Sequence, residues 1–598
     1  MKKQTGENQW KKILPEFLAV LLCLLLMGIG ISQKEGYHMD ELLSFELADA
    51  RYNPWIVPTQ PVGRLAKFVD EEIRGTTLSA TVGNLKDTIM DVLKNRGSSK
   101  LLSYKADVYE EPVWITDKQF RDYVTVDGSD AFDYLSVYFN VKDDNHPPVH
   151  FMLLHTMSSI FQKTLSPLLG CAINLISLGI TLWLLLRLGR QLTDVLLPGM
   201  DGRWLGMTAV LLYGMSTGAL AMVLLIRMYG LLSCLCVALL SIHVEKWKNQ
   251  EFDRKNKGLT AVTVLGFLTQ YFFLFYCLLL AAVTAAVLMQ SRRKKELWIY
   301  IRSMVTAAVI GLFLFPFAIA DVFSSSRGTE ALGNLASGFR GYGERILTFG
   351  KILAERTVGI PLLVGGCIAG VVLLVVWLIR VIRRCRVQGE RVPAAEASRI
   401  SVGAIVAILT IPVAGYFLLA SRMSPYLVDR YIMPIFPFVS LLLALLLCWF
   451  GRKISEISGW KTRNAALCML AVILLVQGMR LIHYDGEYLY KGYRQQEQLA
   501  EAYASDPCIC VYVGVGYYEN LPEFMHYSKT LLLTEQELEN REDTESLEAL
   551  DHVVVMIKPG VEEATALNTL QEKYGFFLEE TLMSSGVHGD SIYLLGKK

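Results

Sequence analysis

Two stretches of the chain hold residues whose types and spacing suit chemistry. The first is Gly36-Tyr37-His38-Met39-Asp40-Glu41-Leu42-Leu43-Ser44, which sets two carboxylates side by side just beyond an apolar run at 17–32. A carboxylate partly screened from water has its pKa raised toward neutrality, which suits a general base. An ordinary surface pair has the same sequence, so Asp40 and Glu41 alone are a weak signal. The second is Asp143-Asp144-Asn145-His146-Pro147-Pro148-Val149-His150-Phe151-Met152-Leu153-Leu154-His155, with three of the chain's nine histidines. Pro147 and Pro148 fit the first turn of a helix, where their missing N–H groups would have no partner anyway. His150 and His155 are five apart and do not share a helix face, so a two-histidine metal site is poorly supported. Their plain reading is capping and interfacial histidines.

The elements that must position these groups follow from composition. Of 598 residues, 53% are hydrophobic and 19% charged, where a water-soluble chain carries roughly a quarter charged. That excludes disorder, collagen, coiled coil and a small disulfide-stapled domain, and points to a polytopic α-helical membrane protein. The net charge of +1 hides an asymmetry: residues 485–598 carry −13 and the remainder +14. An acidic tail repels polyphosphates, so no nucleic-acid partner is expected. Most of the eleven cysteines lie in apolar runs, and no metal spacing or disulfide framework emerges.

A crossing needs about 20 apolar residues. Suitable runs occur at 17–32, 164–186, 204–226, 303–320, 358–379, 401–420, 431–450 and 464–479, with a shorter one at 228–242. The 34 uncharged residues at 258–291 read as two short helices turning near 271–276, and 147–162 as a short re-entrant or tilted helix. Lysine and arginine crowd the loops 243–257, 291–302, 380–399 and 452–463, which places those loops in the cytoplasm. This gives about eleven spans, up to thirteen. The first run lacks a convincing cleavage site and reads as a retained anchor. The expected organisation is a transmembrane body at 1–484 with a large extracytoplasmic loop at 33–147, and an extracytoplasmic α/β domain at 485–598. One outward loop, 321–357, is itself basic, with Arg327, Arg340, Arg345, Lys351 and Arg356. It suits an anionic headgroup, unless the parity is off by one span.

Within 33–147, Val82, Leu85, Ile89 and Val92 repeat at helical spacing, on the membrane surface or inside a small fold. In the tail, 508–515, 552–557, 576–582 and 591–595 read as strands and 561–574 as a helix. The Gly514-Val515-Gly516 stretch lacks the third glycine of a phosphate loop, so the tail reads as a binding or packing module.

A carboxylate pair beyond the first span, followed by a long loop ending in His146-Pro147-Pro148, resembles the glycosyltransferase-C superfamily. The nearest branch is its protein-mannosyltransferase-like and aminoarabinose-transferase-like bacterial members. Arg227-Met228-Tyr229, Thr269-Gln270-Tyr271 and Arg430-Tyr431-Ile432-Met433-Pro434 resemble further motifs in the expected order, over roughly residues 15–450. The chain departs at Leu225, where many relatives have an acid, and at Gln270, where they have histidine.

The resemblance implies a membrane glycosyltransferase with an extracytoplasmic active site in a bacterial cytoplasmic membrane. It implies a polyprenyl-phosphate-linked sugar as donor and an extracytoplasmic acceptor. By that carry-over Asp40 is the base and Glu41 tunes it. Arg227, Arg430, Arg345, Lys351 and His146 are candidates to hold the donor phosphate, and His38, Tyr229, Tyr271 and Tyr431 to line the substrate. Arginine suits a leaving phosphate through forked, charge-assisted hydrogen bonds. For Arg227 and Arg430, snorkelling to headgroups is the competing role, and for His146 it is helix capping. No cofactor is firmly implied beyond the lipid-linked donor; metal dependence varies within the family, so a divalent metal stays open, with no convincing ligand set in the sequence. Two other classes stay open: a transporter or flippase, expected to show mid-span charges or an inverted repeat, and a non-catalytic scaffold whose acidic tail binds a partner.

Overall fold

The computed structural model describes residues 2–105, 107–252, 256–336, 338, 340–359, 395–458 and 462–597. They fall into two compact units. One comprises Met1–Ser32, Asp143–His150 and Gly170–Gly486; the other comprises Gln33–Lys142, Phe151–Leu169 and Glu487–Lys598.

The first unit is helical. It opens with α1 (Lys2–Ser32). Seven helices are long and apolar enough to cross a membrane: Ile13–Ser32, Pro167–Leu196, Tyr229–Asn249, Phe273–Gln290, Lys294–Leu314, Val402–Met423 and Met433–Lys453. Two bent pairs raise the number to nine among the described residues, and the run 358–379 lies largely outside them. The chain is thus a multi-pass membrane protein. The short re-entrant or tilted helix expected at 147–162 is the twelve-residue helix Val149–Ile160, shorter than an upright crossing needs. The expected pair at 258–291 exists as Lys257–Phe267 and Phe273–Gln290, and the break falls at Thr269-Gln270-Tyr271, slightly earlier than the sequence suggests.

Local chemistry explains the interruptions. The run 204–226 is bent by 58° between Gly202–Gly214 and Thr217–Leu224. The second helix restarts because Ser216 Oγ accepts the Ala219 amide at 3.0 Å, which caps it. Helices Pro167–Leu196 and Gly202–Gly214 cross through Gly189 and Gly206. A Cβ on Gly189 would strike the Gly206 backbone, so the close approach requires glycine.

The second unit is built on a six-stranded sheet of order β1-β3-β2-β4-β6-β5, where β1 is Ile115–Thr116, β2 Cys508–Tyr512, β3 Lys529–Thr534, β4 His552–Ile557, β5 Phe577–Met583 and β6 Ser591–Gly596. β3, β2 and β4 are parallel and the others antiparallel. Ile509, Val511, Leu531, Leu533, Val553 and Val555 share one face with Leu538, Leu547, Ala566 and Leu570. Alternate residues such as Cys508, Cys510, Leu532, Val554 and Met556 are buried on the other face. Both faces are covered, so these strands read as continuous apolar runs. β5 is an edge strand carrying exposed Glu579 and Glu580, charges that blunt edge pairing.

Candidate functional site

The carboxylate pair begins helix α2 (Met39–Asp49) in the second unit. His38 caps it, its Nδ1 accepting the Asp40 amide at 3.0 Å, so the neutral ring carries its proton on Nε2. The Glu41 carboxylate reaches back to accept the His38 amide at 2.8 Å. It also accepts Lys34 Nζ at 2.9 and 3.3 Å, and Lys34 donates in turn to the Tyr488 carbonyl at 2.8 Å. Both side chains of this ion pair are 0% exposed. Glu41 is therefore a fastener facing inward. Asp40 keeps 22% of its side chain exposed, 3.6 Å from His38.

Further along α2 the carboxyls change character. Asp49 accepts Ser158 Oγ at 2.7 Å and lies 3.4 Å from His155 Nδ1, and burial outweighs both partners in raising its pKa. Glu46 is fully buried with no hydrogen-bond partner among the described residues, and burial pushes its carboxyl well above the usual range. One helix thus bears a partly solvated acid, a paired acid and an enclosed acid whose pKa burial raises, the kind of separation that assigns different tasks to like groups.

In the first unit, two motifs far apart in sequence meet. His146 Nδ1 lies 2.8 Å from Asp144, and Arg227 Nη2 lies 3.3 Å from His146 Nε2. Asp144 accepting and Arg227 donating place the neutral imidazole's proton on Nδ1. Burial works against the Asp144 anion, but His146 and Arg227 together hold its pKa below the ordinary value. Arg227 stands in the turn between Thr217–Leu224 and Tyr229–Asn249. Its amide bonds the Leu225 carbonyl at 2.7 Å, and Asn174 Nδ2 holds that same carbonyl at 2.6 Å. Leu225 therefore serves through its backbone, which explains how the turn persists without an acid there. His150 is fully buried, within electrostatic reach of Arg227 and His146.

Tyr271 donates to Asp321 at 2.6 Å, and its amide is held by Gln270 Oε1, also at 2.6 Å. Tyr229 opens its helix and is buried. Tyr431 receives the Tyr416 hydroxyl on its carbonyl at 3.0 Å and packs on Phe272 at 5.5 Å, while the Arg430 guanidinium lies 5.6 Å from the Tyr431 ring. Arg345 is engaged with the end of helix Ala395–Met423, bonding the Ser421 carbonyl at 2.8 Å and Ser424. Lys351 is exposed.

Four residues carried no readable signal: Lys34, Asp144 as the His146 partner, Asp321, and Asp429, which pairs with Arg356 at 2.8 Å. Lys34 lies seven residues before Glu41 in a non-helical link, where no periodicity announces a partner. Among the described residues no group of three or more His, Cys, Asp or Glu side chains gathers to hold a metal.

These features define the class: a multi-span helical membrane protein carrying an α/β unit, with polar clusters at helix breaks and at the start of α2. No family model and no curated protein matches the chain. Among solved structures it is similar to ArnT from Cupriavidus metallidurans bound to undecaprenyl phosphate, at 9% identity, with 97% of each chain covered and a TM-score of 0.47. It is also similar to apo ArnT from the same organism, at 10% identity, covering 75% of this chain and 87% of that one, with a TM-score of 0.38.

Proposed function

We propose that the protein is a membrane glycosyltransferase that moves a sugar from a polyprenyl-phosphate carrier to an acceptor outside the cytoplasm, with inversion. The observation that carries this reading is the meeting of His146, from the His-Pro-Pro stretch, with Arg227, from the Arg-Met-Tyr stretch, at 3.3 Å. Two of the segments that resemble the glycosyltransferase-C pattern converge on one cluster. The distribution of lysine and arginine among the short loops supports an extracytoplasmic position for the α/β unit and for Asp40.

In this reading an acceptor hydroxyl or amine attacks the anomeric carbon while the bond from that carbon to the phosphate oxygen breaks. The polyprenyl phosphate leaves with the bonding electrons, and the acceptor's proton passes to Asp40. Arg227 meets the charge that develops on the leaving phosphate, and His146, oriented by Asp144, holds the guanidinium beside it. Arg430, Arg345 and Lys351 are further candidates to meet the phosphate. His38, Tyr229, Tyr271 and Tyr431 are candidates to line the sugars. Glu41, tied to Lys34, keeps the first turn of α2 in place while Asp40 works.

The test uses the full chain in proteoliposomes with radiolabelled undecaprenyl-phosphate mannose, glucose and aminoarabinose, and an envelope extract as acceptor. Wild type consumes one donor and releases undecaprenyl phosphate, whereas Asp40→Asn binds that donor without turnover. A folded wild-type protein that binds none of the three would overturn the reading, and turnover by Asp40→Asn would remove Asp40 from the mechanism.

A further inference from the structure

The parallel core of the second unit has a switch point: β2 lies between β3 and β4, so the chain leaves β2 toward one side and returns on the other. In open α/β sheets, the crevice at the carboxyl ends of the strands at such a point is where ligands bind. Here that place is filled by the protein itself. Lys558, the first residue after β4, donates to Asp590 at 2.6 Å, Asn520 at 2.8 Å and Glu519 at 3.0 Å, so all three of its donors are engaged. Asp590 also receives Asn520 at 2.8 Å and Gln496 at 2.9 Å.

Against this network rests His588, with 8% of its side chain exposed and Nδ1 3.9 Å from Glu519. Its ring lies 5.7 Å from that of Tyr490. On its other sides Tyr490 meets Lys34 Nζ, 5.2 Å from the ring centroid, and the ring of His38 at 6.5 Å. Tyr490 has φ +49°, a left-handed backbone that is uncommon for a bulky residue. The surrounding bonds hold it there. The Glu35 amide donates to the Leu489 carbonyl at 2.8 Å, and the Gly492 amide donates to the Glu35 carboxylate at 2.6 Å. Lys34 reaches the Tyr488 carbonyl. Residues 488–492 are thus bonded to the segment just ahead of Asp40, and the Tyr490 ring fills the space between His38 and His588.

We infer that Tyr490 and His588 are positioning residues for Asp40: the α/β unit uses its switch-point crevice as a socket that fixes the His38 cap, and through it the first turn of α2. The catalytic half of this inference rests on the proposed role of Asp40 as base. The fixing of His38 does not.

Two measurements on the full chain in proteoliposomes test it. The first is the rate at which diethyl pyrocarbonate modifies His38, read by peptide mass spectrometry with His552 as internal standard. The second is release of undecaprenyl phosphate from the donor that wild type consumes. Tyr490→Ala and His588→Ala should raise His38 modification several-fold while leaving His552 unchanged. Both should lower kcat about tenfold with donor KM unchanged, the pattern of a displaced but intact base. Tyr490→Phe keeps the ring and should restore both readouts, which also guards against a variant that simply fails to fold. Unchanged His38 modification in both alanine variants would overturn the inference, and so would a parallel rise at His552. Faster His38 modification with active Asp40→Asn would leave the socket standing and remove the base.

Discussion

The two units handle buried charge in opposite ways. In the first, Arg227, Tyr271 and Arg430 sit where helices break or begin, beside His146, Asp321 and the Tyr431 ring respectively. An unpaired charge inside a bilayer costs roughly 2.5–3.5 kcal/mol, so charge gathers at the interruptions. In the second, Lys34–Glu41 and Lys558–Asp590 are sealed and saturated with partners. The lesson is that the first unit gathers its polar clusters where helices break, whereas the second fastens its fold with fully enclosed ion pairs. Asp40 is the exception, because its neighbour Glu41 takes the structural duty.

The largest effect expected from that contrast is at the exception. Asp40→Asn should lower donor turnover by about a thousandfold, within the range for loss of a general base, with an unchanged melting profile. Lys34→Met should do the reverse. It leaves Glu41 buried without its counter-ion and should destabilise the second unit by about 3–5 kcal/mol, measured as faster amide hydrogen exchange in β2 and β4. Lys34→Met combined with Glu41→Gln should recover part of that loss.

A pH series sharpens the same point. Burial first of all pushes Glu523 up to about 7, against its bonds to Tyr493 and Asn520. The folded unit therefore retains a proton that the unfolded chain has released between the ordinary glutamate value of 4.5 and about 7. Stability is greatest below that window and falls as pH rises through it, by about 3 kcal/mol for this group. Glu46 and Asp49, also raised, act in the same direction. Glu523→Gln should flatten the slope of hydrogen-exchange protection between pH 5 and 7.5. An equal slope in that variant would assign the effect to other groups.

In the first unit, Arg227→Lys should cut kcat/KM about a hundredfold, because the fork that meets His146 is lost, while thermal stability barely changes. The smallest effect is at Lys351. It is exposed, so Lys351→Ala should shift stability by less than about 0.5 kcal/mol, and a marked rise in donor KM would identify it as a phosphate ligand.

What could be read from the sequence follows from these differences. Apolar runs set by a bilayer announce themselves, so most of the helices and the interruption at Thr269-Gln270-Tyr271 were legible. So were the strands at Cys508, His552 and Ser591. β3 went unread, because Leu531-Leu532-Leu533 has neither alternation nor β-branching to distinguish strand from helix. β1 is two residues long and exists only through its pairing with β3. The candidates His146 and Arg227 were legible as motif fragments, but their shared partner Asp144 was not. Lys34, Tyr490 and His588 are joined by tertiary contacts that no local spacing encodes.

The pairing of Ile115 with Thr530 has a consequence for how the molecule is made. The two strands are separated by about four hundred residues of chain, so this sheet edge can close only after β3 has been made. Contacts of such sequence separation are slow to form and late to reward the chain. The Lys34 bond to Tyr488 obeys the same order. Until Tyr488 has been made and has folded back, the start of α2 lacks its clamp. A chain cut short ahead of Tyr488 therefore holds Asp40 and Glu41 without the Lys34–Tyr488 bond that fastens the first turn of α2.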